Sequence, residues 1–145
     1  MQVTITALVR AVHARDRARA SRYDLSPSQS HALLTLSREG PLTVTHLGEH
    51  LHLEKSTASR LAKGLLKLDL ARKRSSSSDD RKVILQVTEK GMRLSRRILN
   101  DLSDEYIELL SSIDIPARRK LPAMLDALVE LLASDPTLIE KPGPE

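Results

Sequence analysis

A single run of β-branched and apolar residues, Val83-Ile84-Leu85-Gln86-Val87, interrupts a sequence whose apolar residues otherwise recur at helical spacing. Such a run is typical of a β-strand. Leu70–Arg74 is a suitable partner strand, because the Ser75–Asp80 stretch that follows it contains four serines and two aspartates and favours a polar loop. We therefore expect one hairpin, formed by Leu70–Arg74 and Lys82–Val87, in a chain that is otherwise helical.

Two short helices are predicted before this hairpin. Thr43 should cap a helix over Val44–Leu51, His52–Lys55 should form the turn, and Ser56 should begin or cap the next helix. That next helix has apolar residues on one side and polar or basic residues on the other. Two short helices joined by a tight turn, with the second one basic outside, are typical of a helix-turn-helix.

Longer helices are predicted on both sides of this unit. Residues 3–22 have Ile5, Leu8, Val9 and Val12 on one face, and Ser26-Pro27-Ser28-Gln29 is typical of a capping box with proline at the first helical position. Thr88 should cap a long helix running to about Ile113. A last helix should begin at Asp114-Ile115-Pro116, with Pro122 kinking or fraying its first turns. The proline-rich residues 136–145 are expected to be loose.

The charges are unevenly distributed along the 145 residues, whose net charge is +4. Residues 55–82 carry nine Lys or Arg against three Asp or Glu, a net charge of +6, whereas residues 101–145 carry four against ten, a net charge of −6. A basic segment that coincides with a helix-turn-helix suits a polyanion such as DNA. The acidic segment should face away from it.

Composition excludes several other classes of protein. There is no cysteine, which excludes a disulfide framework, a zinc ribbon and a thiol switch. No apolar run is long enough for a membrane span, and Met1-Gln2-Val3-Thr4 is not typical of a signal peptide. These observations favour a cytoplasmic protein with no membrane partner, and nothing in the sequence indicates a cofactor.

Three segments resemble the MarR family of bacterial regulators. Leu25-Ser26-Pro27-Ser28-Gln29 is similar to the family's entry to its second helix, and Lys55-Ser56-Thr57-Ala58-Ser59-Arg60-Leu61 is similar to the start of its recognition helix. The most specific segment runs from Asp79 to Gly91, because Asp79, Arg81, Thr88 and Gly91 have the spacing of the family's wing signature. The chain departs from the family at Asp69, where a turn glycine is usual; Asp tolerates a left-handed backbone, so the turn should survive.

The resemblance implies a mainly α fold with a small β-hairpin wing, that is, a winged helix-turn-helix flanked by N- and C-terminal dimerisation helices. It implies one MarR-like domain over 1–145, with dimerisation helices at 1–24 and 89–135, a DNA-binding lobe at 26–88 and a tail at 136–145. The implied function is a homodimeric, sequence-specific regulator of transcription, by default a repressor, that binds double-stranded DNA at a pseudo-palindromic site. A small-molecule effector is a further implied partner, and no enzymatic activity is implied.

The candidate contact residues lie in the predicted recognition helix and wing. Ser56, Thr57 and Ser59 can donate hydrogen bonds to phosphates or base edges, and Arg60 can read guanine through two of its N–H groups. Arg81 is the best candidate for a minor-groove or backbone contact, with Asp79 orienting it. The remaining candidates supply positive charge: Lys55, Lys63, Arg72, Lys73, Arg74 and Lys82.

Two alternatives to DNA binding remain open. His46-Leu47-Gly48-Glu49-His50 has the His-x-x-Glu-His pattern of a zinc peptidase, but no third ligand is evident and the segment braces the recognition helix. A related hypothesis without catalysis is a zinc-responsive regulator that binds the metal through His46 and His50, with His52 nearby. The second alternative is a winged helix that binds a protein instead of DNA. A protein-binding surface does not require Arg60, Lys63 and Arg81 to point outward together, so their positions favour DNA.

Overall fold

Six helices and three short strands follow one another in the computed structural model, which describes residues 2–75 and 83–134. The predicted tail, 136–145, and the predicted loop residues after Ser75, together with Asp79, Arg81 and Lys82, lie outside the described residues. The elements are α1 (Gln2–Ser21), α2 (Pro27–Glu39), β1 (Leu42–Thr43), α3 (Val44–Leu51), α4 (Lys55–Lys67), β2 (Ala71–Ser75), β3 (Val83–Val87), α5 (Glu89–Ser111) and α6 (Ile115–Ser134).

The chain divides into two compact units, residues 1–100 and residues 101–145. The first unit holds the helix-turn-helix, the sheet and a leucine-rich core. The fully buried apolar side chains of the core come from five different elements, which therefore pack against one another. They are Leu33 and Leu36 of α2, Leu47 of α3, Leu65 of α4, Leu85 of β3 and Ile98 of α5. None of the described helices is apolar over a length that could cross a membrane.

Helix α2 begins as the sequence predicts. The Ser26 hydroxyl accepts a hydrogen bond from the Gln29 N–H, and the Ser26 N–H donates to the Gln29 side chain, which completes the capping box. Pro27 occupies the first helical position, where its missing N–H has no cost. The helix ends at Gly40, whose φ of 83° is readily adopted only by glycine.

The sheet has three antiparallel strands in the order β1-β3-β2. The hairpin is present as predicted, with its strands at Ala71–Ser75 and Val83–Val87. Leu70 lies before the strand instead of in it. The third strand, β1, was not predicted; Leu42 and Thr43 pair with Leu85 and Ile84.

The turn between α3 and α4 is tight. His52 adopts a left-handed conformation with φ of 51°, and the Leu53 N–H donates to the Gly48 carbonyl over 2.9 Å. A Cβ on Gly48 would lie 2.9 Å from the Leu53 carbonyl oxygen and 3.3 Å from the Ala58 Cβ. Glycine at this position therefore lets the two helices of the helix-turn-helix approach each other.

Helix α4 starts one residue earlier than expected. The prediction that Ser56 begins or caps it is wrong, because Glu54 is the N-cap and Lys55 is the first helical residue. The short turn after the left-handed His52 fixes this position, and the Glu54 side chain makes no capping hydrogen bond within the described residues. Thr43 and Thr88 cap α3 and α5 as predicted, each accepting a hydrogen bond from the N–H three residues later.

The end of α4 confirms the expectation for Asp69. Its φ is 57°, the Asp69 N–H donates to the Leu66 carbonyl, and the Leu70 N–H donates to the Leu65 carbonyl. These two bonds form a Schellman motif with aspartate in the position that usually requires glycine. In the second unit, α6 begins at Ile115 and is helical through Pro122, so the expected fraying of its first turns does not occur.

Candidate nucleic-acid interface

Helix α4 has one buried and one exposed face. Ala58, Ala62 and Leu65 are buried against the core, and the helical repeat places the opposite face one to two positions away from each of them. That opposite face consists of exposed polar and basic side chains: Ser56, Arg60, Lys63 and Lys67. Thr57 and Ser59 lie half-buried at its two edges, and Lys55 is exposed in the first turn.

Strand β2 adds three basic side chains beside α4. In the register of the hairpin, Lys73 lies opposite the buried Leu85, whereas Arg72 and Arg74 lie opposite Gln86 and Ile84. Because successive side chains of a strand point to opposite faces, Lys73 lies on one face and the two arginines lie on the other. The structure thus separates a set of three cations that the sequence presents as a continuous run.

Lys73 meets the recognition helix. Together with Ser59 and Lys63 it lines a small groove whose apolar wall is formed by Val44, Ala62, Leu66 and Leu85. Two ammonium groups and one hydroxyl at the rim of one groove are suited to a phosphate. The hairpin therefore brings together candidate residues that are ten or more positions apart in the sequence.

Arg60 and Arg72 are both held by neutral side chains. The Arg60 Nη2 donates to the Thr57 Oγ1 over 3.1 Å. The Arg72 Nε and Nη2 both donate to the Gln86 Oε1, over 3.3 and 3.1 Å. Neither partner cancels the charge of the guanidinium, so both arginines keep their full attraction for an anion.

Three arginines elsewhere in the first unit are bonded to or lie beside carboxylates. Arg19 bonds to Asp16 over 2.9 Å, Arg38 to Glu39 over 2.6 Å, and Arg93 lies 3.5 Å from Glu89. Within residues 2–75 and 83–134, no such ion pair involves the basic side chains of α4 or β2. Among the described residues, the basic side chains of α4 and β2 therefore keep their positive charge without a carboxylate partner.

Two residues that lie beside the predicted contacts were not themselves predicted. Lys67 is exposed on the same side of α4 as Arg60 and Lys63, and its helical spacing from them is a signal that the sequence already contains. Gln86 holds Arg72, but its partner lies fourteen residues away and is defined only by the register of the hairpin. Asp79, Arg81 and Lys82 lie outside the described residues, and their roles stay predictions.

The histidines of α3 lie apart from this face. A shallow groove beside Leu42 is lined by His46, Glu49, His50 and His52. In the part of the chain that the structure describes, no group of three His, Cys, Asp or Glu side chains is arranged to hold a metal ion. The zinc hypothesis therefore rests on the spacing of His46 and His50 alone, and no observation favours peptidase chemistry.

Comparison with known proteins identifies this arrangement. A model of the MarR family matches residues 23–82, which run from the end of α1 to the start of β3. Over that segment the chain is similar to the MarR family. Proteins of that family are transcriptional regulators and not enzymes, which agrees with the prediction that the chain is not an enzyme. No curated protein matches the sequence.

Solved MarR-family structures share the winged-helix fold over most of the chain. A MarR transcriptional regulator from Methanosarcina mazei Go1 is 23% identical over 92% of this chain and 96% of its own, with a TM-score of 0.78. The MepR–DNA complex of Staphylococcus aureus is 18% identical over 90% and 96%, with a TM-score of 0.73. A mutant form of MarR from Escherichia coli is 15% identical over 89% and 96%, with a TM-score of 0.77. The predicted fold, mainly α with a β-hairpin wing, is confirmed.

Proposed function

We propose that this protein is a homodimeric, sequence-specific regulator of the MarR type that binds double-stranded DNA through α4 and the hairpin and represses transcription. One observation carries the proposal: the exposed face of α4 and the strand beside it hold basic side chains that, among the described residues, have no carboxylate partner. The likeness of its fold to that of MepR in the MepR–DNA complex supports the proposal.

The chemistry of α4 suits the major groove. Arg60 lies in the middle of the exposed face and can donate two parallel hydrogen bonds to the O6 and N7 of guanine. Lys63, Lys67 and Lys73 would contact phosphates on either side and contribute affinity without reading sequence. On the other face of the hairpin, Arg72 and Arg74 would contact the backbone or the minor groove together with Arg81.

Exposed apolar side chains support the homodimer. On α1, Ile5, Leu8, Val9 and Val12 are exposed by 42–57%. In the second unit, exposed apolar residues are equally frequent: Ile107, Ile115, Met124, Val129 and Leu131 are exposed by 61–68%. Exposed apolar side chains in such numbers are usually covered by a partner, and a second copy is the occupant that we propose.

A two-fold dimer would bind a pseudo-palindromic site whose half-sites are about one turn of DNA apart, roughly 34–36 Å. The proposal implies a cytoplasmic location, where such a regulator would meet DNA. A small-molecule effector stays a prediction from the family resemblance.

Replacing Arg60 tests the proposal. We expect the wild-type protein to select a common sequence from a library of random duplexes, and Arg60→Ala to weaken binding to that sequence by about 1–3 kcal/mol per half-site, because one bidentate base contact is lost. Electrophoretic mobility shift with the selected duplex measures this loss.

Arg38→Ala is the matched control, because Arg38 is exposed at the end of α2 and already bonded to Glu39. It should bind the selected duplex like the wild type. Failure of the wild-type protein to enrich any sequence would contradict the proposed function, and unchanged binding by Arg60→Ala would remove Arg60 from the interface.

A further inference from the structure

The hydrogen bond between Thr57 and Arg60 lies on the exposed face of α4, which is proposed to contact DNA. It orients the guanidinium of Arg60. The Arg60 Nη2 reaches back one turn of α4 to the Thr57 Oγ1 over 3.1 Å. Thr57 is half-buried, whereas Arg60 is exposed. Threonine is branched at Cβ and has few accessible rotamers, so its oxygen is a fixed anchor for a long and flexible side chain.

The choice of a hydroxyl as the anchor has a chemical consequence. The bond uses one of the five N–H groups of the guanidinium and leaves four for a ligand, and the charge is not neutralised. A carboxylate would hold the arginine as firmly, as Glu39 holds Arg38 over 2.6 Å. It would also repel the phosphates and compete with the acceptor atoms of guanine, which a hydroxyl does not.

Ordering a long side chain on binding reduces affinity by roughly 2- to 12-fold. A side chain that is already held in the free protein avoids much of that loss. This gain in affinity applies to a base contact, because such a contact needs one orientation of the guanidinium. It hardly applies to a phosphate contact, which can form in many orientations of the guanidinium.

From these observations we infer that Thr57 is a positioning residue: its hydroxyl orients the Arg60 guanidinium for base recognition, and it raises sequence discrimination instead of overall affinity for DNA. This inference rests on the proposed function and deepens it. It also assigns Thr57 a role different from the direct DNA contact that its place in the recognition helix suggests.

The test compares two substitutions of Thr57. Thr57→Val keeps the shape and removes the acceptor, whereas Thr57→Ser keeps the acceptor. The probes are a duplex selected from random sequence by the wild-type protein and a scrambled duplex of the same composition. We expect Thr57→Val to lower the ratio of the two affinities by about 2- to 12-fold per subunit, Thr57→Ser to restore most of the ratio, and binding to the scrambled duplex to be unchanged.

The Arg60→Ala background separates positioning from direct contact. If Thr57 acts through Arg60, Thr57→Val has no further effect once Arg60 is alanine. An equal effect in both backgrounds would overturn the inference and show that Thr57 contacts DNA itself. Thr45→Val, an exposed threonine on α3, is the matched control and should leave the ratio unchanged.

A measurement on the free protein separates failure of the inference from failure of the proposed function. In ¹⁵N relaxation, the Nε–H of Arg60 should become more mobile in Thr57→Val and not in Thr57→Ser. No change in mobility would overturn the inference whatever the protein binds. Equal affinity of the wild type for both duplexes would contradict the proposed function and the specificity role together, whereas normal discrimination by Thr57→Val would overturn the inference alone.

Discussion

Asp69 occupies a turn position at which glycine is usual. It lies in the left-handed region with φ of 57°, directly after α4. Its carbonyl accepts a hydrogen bond from the Thr88 hydroxyl over 2.8 Å, and the neighbouring Leu68 carbonyl accepts one from Lys90. The end of α4 is therefore tied to the start of α5, and the backbone of Asp69 is part of that connection.

Substitutions of Asp69 should separate its conformation from its side chain. Asp69→Gly removes the strain of a left-handed L-residue and is expected to leave the free energy of unfolding unchanged or raise it by up to about 1 kcal/mol, whereas Asp69→Ala should lower it by about 1 kcal/mol. Urea denaturation at one fixed protein concentration measures both. A stability of Asp69→Ala equal to that of Asp69→Gly would contradict a conformational role.

At the scale of the element, the environment of α1 changes along its length. Ile5, Leu8, Val9 and Val12 share a face with Asp16 and Arg19. Arg19 is only 7% exposed and bonded to Asp16, whereas the four apolar residues are exposed. The same face is thus covered at the C-terminal end of α1 and exposed at its N-terminal end. This is the expected geometry of a helix whose N-terminal half packs against a second subunit.

A charge placed on this face should dissociate the proposed dimer. Leu8→Asp is expected to shift the protein from dimer to monomer at micromolar concentration, because a carboxylate would be buried without a partner. Analytical ultracentrifugation measures the change. Ala14→Asp is the control, since Ala14 is exposed on the opposite side of α1, and it should remain dimeric. A wild-type protein that sediments as a monomer would contradict the homodimer.

The elements that were predicted well have strong local signals. The capping box at Ser26 and Gln29 marks the start of α2, and the β-branched run at Val83–Val87 marks β3. Two features were missed because they depend on tertiary structure. A two-residue strand such as β1 has no periodicity, and it exists only because Leu42 lies beside Leu85. The start of α4 is set by the left-handed His52 and the close approach at Gly48, neither of which a capping pattern reveals.

The candidate site was predictable to a similar extent. The exposed face of α4 follows from helical spacing, so Arg60 and Lys63 could be chosen from the sequence. The division of Arg72 and Lys73 between two faces follows from the hairpin register. The hydrogen bonds of Arg60 and Arg72 to neutral partners depend on rotamers, which the sequence does not specify.

At the scale of the molecule, the distribution of charge predicts how DNA binding depends on salt. The +6 segment and the −6 segment belong to different parts of the chain, so a net charge of +4 understates the attraction at the α4 face. If a dimer neutralises about 6–10 phosphates, affinity should fall by about 10³–10⁵-fold between 50 and 200 mM salt. Fluorescence anisotropy with a labelled duplex over that range measures the slope.

Replacing one lysine tests how much a single phosphate contact contributes to the slope of log affinity against log salt concentration. Lys63→Ala should weaken binding to all duplexes alike and lower the slope by about 1 per subunit, because it removes one phosphate contact from each recognition helix. Lys120→Ala, in the acidic second unit, should leave the slope unchanged. A salt dependence close to zero for the wild type would argue against phosphate neutralisation as the source of affinity.

The separation of the two faces of α4 bears on how such a protein can evolve. Ala58, Ala62 and Leu65 hold the helix in place, and Ser56, Lys63 and Lys67 contribute little to the fold because their side chains are exposed. Mutations on the outer face can therefore change the affinity for DNA, or at a base-contacting position the target sequence, with little loss of stability. The coupled pair Thr57 and Arg60 is the exception, since a useful change at one position requires a compatible change at the other.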